Sequence, residues 1–369
     1  MSPLAADPAG ARAEGQRLMA GFTAAGAVPM ETPVLQPAEV LLDLYGEDIR
    51  ARAYVTQDPL TGEMMLRPDF TVPVVQAHMA GGAEPARYCY LGRVFRKQED
   101  PAAARASEYL QVGYELFDGA DRARADAEVF ALIHGLLAPL GLRAATGDIG
   151  ILRAAVAGLP TTEARKSALM RHLWRPQRFR ALLDRYAGRA PVTPERAALL
   201  ETLTRGKRPA SPAPHLGLRS RDEIAARLDR LAEDAATPPL DAAAVTALET
   251  MLAIRAKAPQ ALAALQGSAR ALPWIAPALD GLAARLNALA EAGIDPAALD
   301  FEASYGRTSM EYYDGFVFGF YAEGRADLPP VAQGGRYDAL TAVLGQGGAI
   351  PAVGGVIRPA LVAALKGGG

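Results

Sequence analysis

The stretch Tyr109-Leu110-Gln111-Val112-Gly113-Tyr114-Glu115-Leu116-Phe117 decides how this chain is read. Its aromatic and β-branched residues predict a strand. Gln111, Gly113 and Glu115 fall on one face of it, because side chains alternate along a strand. A buried strand face bearing Gln and Glu is costly unless those groups find partners. Two readings stay open: the face meets solvent and the cost vanishes, or it lines a pocket and forms an acidic, hydrogen-bonding site for an amine. Upstream, Tyr88–Arg96 has the same texture and predicts a neighbouring strand ending on Arg96, with the polar loop Lys97–Ser107 between the two. Further upstream, Leu66-Arg67-Pro68-Asp69-Phe70-Thr71 sets a cation, a carboxylate and a hydroxyl just after a strand. Asp69 has the chemistry to hold an ammonium group and Thr71 to add a hydrogen bond. Asp and Thr are equally good helix N-caps.

Working outward, residues 1–150 mix helix and strand signals. Ala11–Ala25 and Asp126–Leu140 read as helices, and the Pro-punctuated Val28–Leu35 as extended chain. Ala53–Val55 and Glu63–Leu66 flank the turn cluster Asp58-Pro59-Leu60-Thr61-Gly62 and read as a hairpin. From about 155 to 295 the texture changes. Ala, Leu and Arg dominate, and apolar residues recur at helical spacing in Glu223–Leu231, Ala242–Ile254 and Ile275–Ala290. Residues 296–369 return to strand-like texture in Phe301–Tyr305, Gly315–Tyr321 and Val353–Ile357, with a last helix over Pro359–Lys366. Gln333-Gly334-Gly335-Arg336-Tyr337-Asp338 reads as a turn into a helix. The expected organisation is one sheet-based domain built from residues 1–150 and 296–369, interrupted by a helical insertion over 155–295. In the C-terminal part, Glu311-Tyr312-Tyr313 and Tyr337 offer flat rings with polar tips, able either to sandwich a small aromatic ring or to pack a core.

Composition bounds the function. The 369 residues suit two or three domains at about 150 residues each. The 39 Lys+Arg against 41 Asp+Glu give a net charge of −2, which weighs against a nucleic-acid surface. The single cysteine, Cys89, excludes an intramolecular disulfide framework and any multi-cysteine metal site, and it reads as a buried hydrophobe. No apolar run approaches the roughly 18–20 residues of a membrane span. His78, His134, His172 and His215 lack metal-ligand spacing. Neither a Walker A loop, a GxGxxG nor a Ser/His/Asp signature is present. No cofactor or metal is expected, and a cytoplasmic location is.

In order and spacing, these segments resemble the catalytic domain of class II histidyl-tRNA synthetases over roughly residues 10–150 and 300–365. Leu66–Thr71 resembles that family's LRPEGT segment. Leu91–Arg96 with Tyr109–Glu115 resembles motif 2 and the strand after it. Glu311-Tyr312-Tyr313 and Gly334–Asp338 resemble the two histidine-specific segments, and Pro351–Gly354 the start of motif 3. The resemblance implies an α/β (α+β) fold: a class II antiparallel sheet flanked by helices, with a helical insertion. It also implies a histidine site in which Asp69, Gln111 and Glu115 take the α-ammonium, Thr71 assists, and Arg96 faces the carboxylate. Tyr313 and Tyr337 would contact the imidazole, with Tyr312 nearby.

The departures concern activation by ATP. The arginine that opens RGLDYY falls on Thr308, with Arg307 one residue off register. The glutamate that follows the motif 2 arginine is Gln98, and the motif 3 arginine falls on Leu361, with Arg358 out of register and Pro359 expected to disturb the helix start. Losing that cation removes charge stabilisation where an adenylate-forming transition state needs it. After Lys366 the chain runs into Gly367-Gly368-Gly369, so a tRNA-reading domain of about 100 residues is not expected. Retained histidine groups with degraded ATP groups resemble the synthetase-like regulatory subunits of ATP phosphoribosyltransferase. That resemblance implies no catalytic residue and a partnership with the short-form catalytic subunit of that enzyme in a hetero-octamer built on synthetase-like dimers. It further implies histidine as an allosteric effector, and neither nucleic acid nor membrane as a partner. The rival readings are a truncated synthetase or amino-acid-activating enzyme, and a kinase-linked tRNA-sensing module.

Overall fold

The computed structural model describes residues 7–39, 53–97, 106–208, 219–305, 312–345 and 347–367. It divides into two units: Met1–Leu152 with Met251–Gly267 and Ala276–Gly369, and Arg153–Thr250 with Ser268–Ile275.

Twelve strands are present among the described residues of the first unit. They are β1 (Val28–Pro29), β2 (Leu35–Pro37), β3 (Val55–Asp58), β4 (Gly62–Leu66), β5 (Ala86–Phe95), β6 (Glu108–Phe117), β7 (Arg143–Asp148), β8 (Arg255–Lys257), β9 (Asp300–Glu302), β10 (Phe316–Tyr321), β11 (Ala332–Arg336) and β12 (Ala352–Ile357). Nine of them form one sheet in the order β1-β5-β6-β12-β11-β10-β7-β9-β8, and β2-β4-β3 form a small second sheet. Every pairing in the large sheet is antiparallel except β1 with β5 and β7 with β9. The longest ladder joins the two strands that the sequence singled out, from Ala86 opposite Phe117 to Phe95 opposite Glu108.

The last seven residues of β6, Gln111 to Phe117, are all buried. One face is covered by helices: Tyr114 meets Phe22 of the helix Pro8–Ala24, with ring centroids 5.5 Å apart. On β10, Phe316, Phe318 and Phe320 pack around Phe130 of the helix Arg122–Leu137, which Asp121 caps by accepting from Arg124 N. The glycines of β11 and β12 answer this packing. A Cβ on Gly334 or Gly355 would press into the ring of Phe318.

Several expectations are adjusted. Gln333–Arg336 is strand interior rather than turn, and the helix that follows runs Asp338–Leu344. Pro359 does not disturb the last helix. It is that helix's first residue, where its missing N–H is harmless. The strands β7 and β8 carry no sequence signal noted above. β8 falls inside the segment expected to be a helical insertion, where pairing with β9 overrides local propensity. Helix Ala276–Glu291 likewise belongs with the sheet, because Arg285 on it is bonded to Asp126 and Asp148.

The second unit is helical among its described residues, with helices Glu163–Arg171, Pro176–Tyr186, Pro194–Thr204 and Arg221–Ala236. Leu169, Leu173, Phe179, Leu183 and Leu203 are buried. Thr162 and Thr193 cap the helices they precede, and Ser220 with Glu223 forms a capping box.

Candidate functional site

The face of β6 opposite the helices carries Gln111, Gly113 and Glu115, and it is not solvated. Gln111 and Glu115 are 0% and 1% exposed. Glu115 is instead held by hydroxyls. Thr71 Oγ1 and Tyr90 Oη donate to Glu115 Oε1, each at 2.9 Å, and Tyr337 Oη donates to Oε2 at 2.6 Å. Across the sheet Glu115 pairs with Gly354, where a Cβ would stand 1.5 Å from Oε2. Only glycine lets the carboxylate lie against the strand there.

The segment Leu66–Thr71 delivers the second carboxylate. Neither Asp69 nor Thr71 caps a helix: the helix Thr71–Met79 has Phe70 at its N-cap position and no side-chain cap bond. Thr71 spends its hydroxyl on Glu115, and Asp69 is 3% exposed. Arg96 stands at the end of β5, donates from Nε to Pro68 O at 2.8 Å, and brings Nη2 to 4.0 Å from Asp69 Oδ2. Phe70 stacks on Tyr90 at 4.2 Å and fixes the ring that reaches Glu115.

Three tyrosines close the site. Tyr312 meets Tyr313 and Tyr337 edge-to-face, with centroids 4.9 and 6.1 Å away, so no parallel sandwich is preformed around it. Tyr312 Oη reaches Thr71 Oγ1 at 3.4 Å. Asp69, Thr71, Arg96, Gln111, Tyr312, Tyr313 and Tyr337 line one pocket of about 290 Å³ counting its open mouth, together with Gln333 and Gly354–Val356. Glu115 adjoins this lining: it accepts from Thr71 and Tyr337 and lies against Gly354. Burial is the main cause that pushes the Glu115 carboxyl up to about 7. Its hydroxyl donors pull down, and the nearby Asp69 charge pushes up. Burial also raises the Tyr90, Tyr313 and Tyr337 phenols, which keeps them protonated as donors. Both amide atoms of Gln111 are buried without a hydrogen bond among the described residues.

Tyr337 is aimed by its neighbours. Arg336 points to the other side of β11, donates to Asp126 Oδ1 from Nε at 2.9 Å and to Asp338 Oδ1 from Nη1 at 2.9 Å. Arg285 donates to Asp126 Oδ2 and Asp148 Oδ2, each at 2.8 Å. Asp314 accepts from the Asp338 and Ala339 N–H groups at 3.1 and 2.6 Å and so fixes the helix start just after Tyr337.

All eight residues expected from the sequence thus lie at one site. Tyr90, Gly354 and Gln333 were missed. Tyr90 had a usable signal, since it shares strand parity with Arg96. Gly354 and Gln333 had none, because their roles depend on which strands become neighbours. Glu311, Thr308, Arg307 and Gln98 lie outside the described residues. Leu361 is 0% exposed in the last helix, and Arg358 is occupied by Pro330 O and, at 3.5 Å, by Gln333 Oε1. Among the described residues no group of three or more His, Cys, Asp or Glu is placed to hold a metal. No helix there is long and apolar enough to cross a membrane.

A sequence profile of the histidyl-tRNA synthetase family matches residues 6–238 and 219–360. Solved structures agree on the fold. An ATP phosphoribosyltransferase regulatory subunit/histidyl-tRNA synthetase from Bacillus halodurans superposes with a TM-score of 0.67 at 20% identity, covering 96% of this chain and 79% of that one. A histidyl-tRNA synthetase from Nostoc superposes with a TM-score of 0.62 at 15% identity, covering 99% and 76%. The fold and the family profile therefore define a class II synthetase-like protein of the histidyl-tRNA synthetase family. Among curated proteins, the ATP phosphoribosyltransferase regulatory subunits of Allorhizobium ampelinum and Agrobacterium fabrum are each 35% identical over 357 residues, covering 91% of this chain and 93% and 92% of theirs. The chain belongs to the family of histidyl-tRNA synthetase-like ATP phosphoribosyltransferase regulatory subunits.

Proposed function

We propose that this chain is the non-catalytic regulatory subunit of an ATP phosphoribosyltransferase, that it binds free histidine in the pocket on β6, and that this binding transmits feedback inhibition to a short catalytic subunit. The observation that carries the reading is the combination of two buried carboxylates, Glu115 and Asp69, with the unpartnered amide of Gln111 at one small pocket. Glu115 is surrounded by neutral donors, so an α-ammonium entering the pocket would supply the positive charge that the cage lacks. The Arg96 guanidinium, beside Asp69, suits the ligand carboxylate. The tyrosine edges and Gln333 suit a small ring with polar nitrogens.

Regulation requires more than binding. Histidine must bind two arrangements of the complex with different affinity, and a coupling of about 1–3 kcal/mol is typical. The names of the curated relatives support a catalytic partner, and the resemblance supports a hetero-octamer built on synthetase-like dimers. The buried Leu361 at the position of the motif 3 arginine supports the loss of amino-acid activation. Replacing Glu115 with Ala in the reconstituted complex is expected to abolish histidine inhibition while the partner remains activated. Full histidine sensitivity in that variant would remove the pocket assignment. Histidine-dependent ATP–pyrophosphate exchange by this chain would instead establish an activating enzyme.

A further inference from the structure

The helical unit holds an open cleft of about 780 Å³, mouth included, at the junction of helices Glu163–Arg171, Pro176–Tyr186 and Arg221–Ala236. It is lined by four arginines, Arg165, Arg185, Arg227 and Arg230, against two carboxylates, Glu233 and Asp234. Four cations minus two anions leaves a formal surplus of +2. The arrangement splits into a fixed base and a free rim. In the base, Arg165 is 6% exposed and donates from Nε to Asp234 Oδ1 at 2.7 Å and to Pro238 O, Asp234 O and Thr237 O. Arg185 shares the same carboxylate through Oδ2, so one Asp neutralises two guanidiniums. At the rim, Arg227 and Arg230 stand three residues apart on one helix, on the same face. Both are exposed, and neither meets a carboxylate among the described residues.

Tyr186 lies between base and rim. It is 6% exposed, lines the cleft, and makes no hydrogen bond among the described residues. Its ring face is taken: the Arg165 and Arg185 guanidiniums lie 5.0 and 5.5 Å from the ring centroid. A planar base has nothing left to stack on. The free donors are two guanidinium forks and one phenol, a set matched to the oxygens of a phosphate rather than to a nucleobase.

We propose that this cleft is a binding site for a di- or triphosphate group, held by Arg227 and Arg230 with Tyr186, and separate from the pocket on the sheet. The bound group can come from free pyrophosphate or from the phosphates of a nucleotide, and the two are separated by measuring both. The reading is independent of whether histidine binds near Glu115. The experiment is calorimetric titration of the full chain with pyrophosphate, ATP and adenosine, in the wild type and in an Arg227→Gln/Arg230→Gln variant. Pyrophosphate is expected to bind at one site per chain, ATP within about threefold of it, and adenosine not at all. The double variant should bind pyrophosphate at least about tenfold more weakly, with unchanged melting and unchanged histidine binding, because both side chains are exposed. Arg227→Lys/Arg230→Lys should recover part of the loss by restoring charge without the fork, and Tyr186→Phe should weaken binding about two- to fivefold. A wild type with no saturable pyrophosphate binding overturns the proposal, and so does a double Gln variant that binds as well as the wild type. Binding of adenosine overturns the assignment to phosphate.

Discussion

Two buried acidic clusters lie against the faces of this sheet, and they solve the same problem in opposite ways. Asp126, 1% exposed, sits between Arg285 and Arg336 and gives each oxygen a guanidinium. Burial alone would lower the pKa of both arginines, but the aspartates around them more than offset it and hold the cations charged. Glu115, also 1% exposed, has three hydroxyl donors and no cation in hydrogen-bond contact among the described residues, and its carboxyl is pushed up to about 7. The first cluster is matched in charge, although Arg285 Nη1 is buried without a hydrogen bond among the described residues, and it is structural. The second is satisfied in hydrogen bonds but not in charge, which is the condition of a site made for a cationic ligand. The difference teaches where to look for function. A buried carboxylate with a full set of cations is scaffold, and one surrounded only by neutral donors invites a ligand.

Removing the carboxylate should separate the two clusters most sharply. Asp126→Ala removes the carboxylate shared by two buried guanidiniums, leaving Arg285 only Asp148 and Arg336 only Asp338, and is expected to cost about 3 kcal/mol of stability, read as a fall in the urea midpoint. Glu115→Ala is expected to weaken histidine binding by about 2–5 kcal/mol in calorimetry while the fold persists. If the two variants lose stability equally, the contrast between scaffold and site fails.

The pH dependence follows from the direction of the Glu115 shift. Its folded pKa of about 7 lies above the ordinary 4.5. The advantage of its neutral form is therefore fully present below 4.5 and is lost as pH rises through about 7. Melting temperature followed from pH 4.5 to 8 should show this decline, and Glu115→Gln should flatten it. An ammonium ligand should ionise the carboxyl, so histidine binding near pH 7 should release about half a proton from this group. Calorimetry in buffers of different ionisation enthalpy measures that release, and net uptake would contradict the assignment. The smallest expected effect is that of Tyr337→Phe, which removes one donor to Glu115. It should weaken histidine binding by about 1 kcal/mol and raise the carboxyl's pKa further, visible as a shift of the same pH profile to higher pH.

Much of the site was legible in the chain because strand parity is a local property. Gln111 and Glu115 could be placed on one face from alternation alone, and the resemblance to the histidyl-tRNA synthetase family linked them to Arg96, Asp69, Thr71 and the tyrosines. The helix-cap reading of Asp69 and Thr71 was equally consistent with local chemistry. It failed because a hydroxyl donor was needed by a carboxylate 44 residues away. The same limit applies to Gln333–Arg336, whose glycines read as a turn and prove to be the centre of a sheet.

The sequence by itself determined the alternation of sheet and helical regions, the two carboxylates and their hydroxyl and aromatic companions, and the absence of a disulfide framework. The alternation and the disulfide arithmetic follow from residue type and period, and the grouping of the carboxylates with their companions from the family resemblance. Only the tertiary structure decided that β12 lies beside β6 and brings Gly354 against Glu115, and that Tyr90 completes its cage. Only it decided that Asp126 recruits arginines 159 and 210 residues away. The physical reason is that charge state and burial are set by neighbours in space, and a sheet assembled from both ends of a chain draws those neighbours from positions that no local pattern connects.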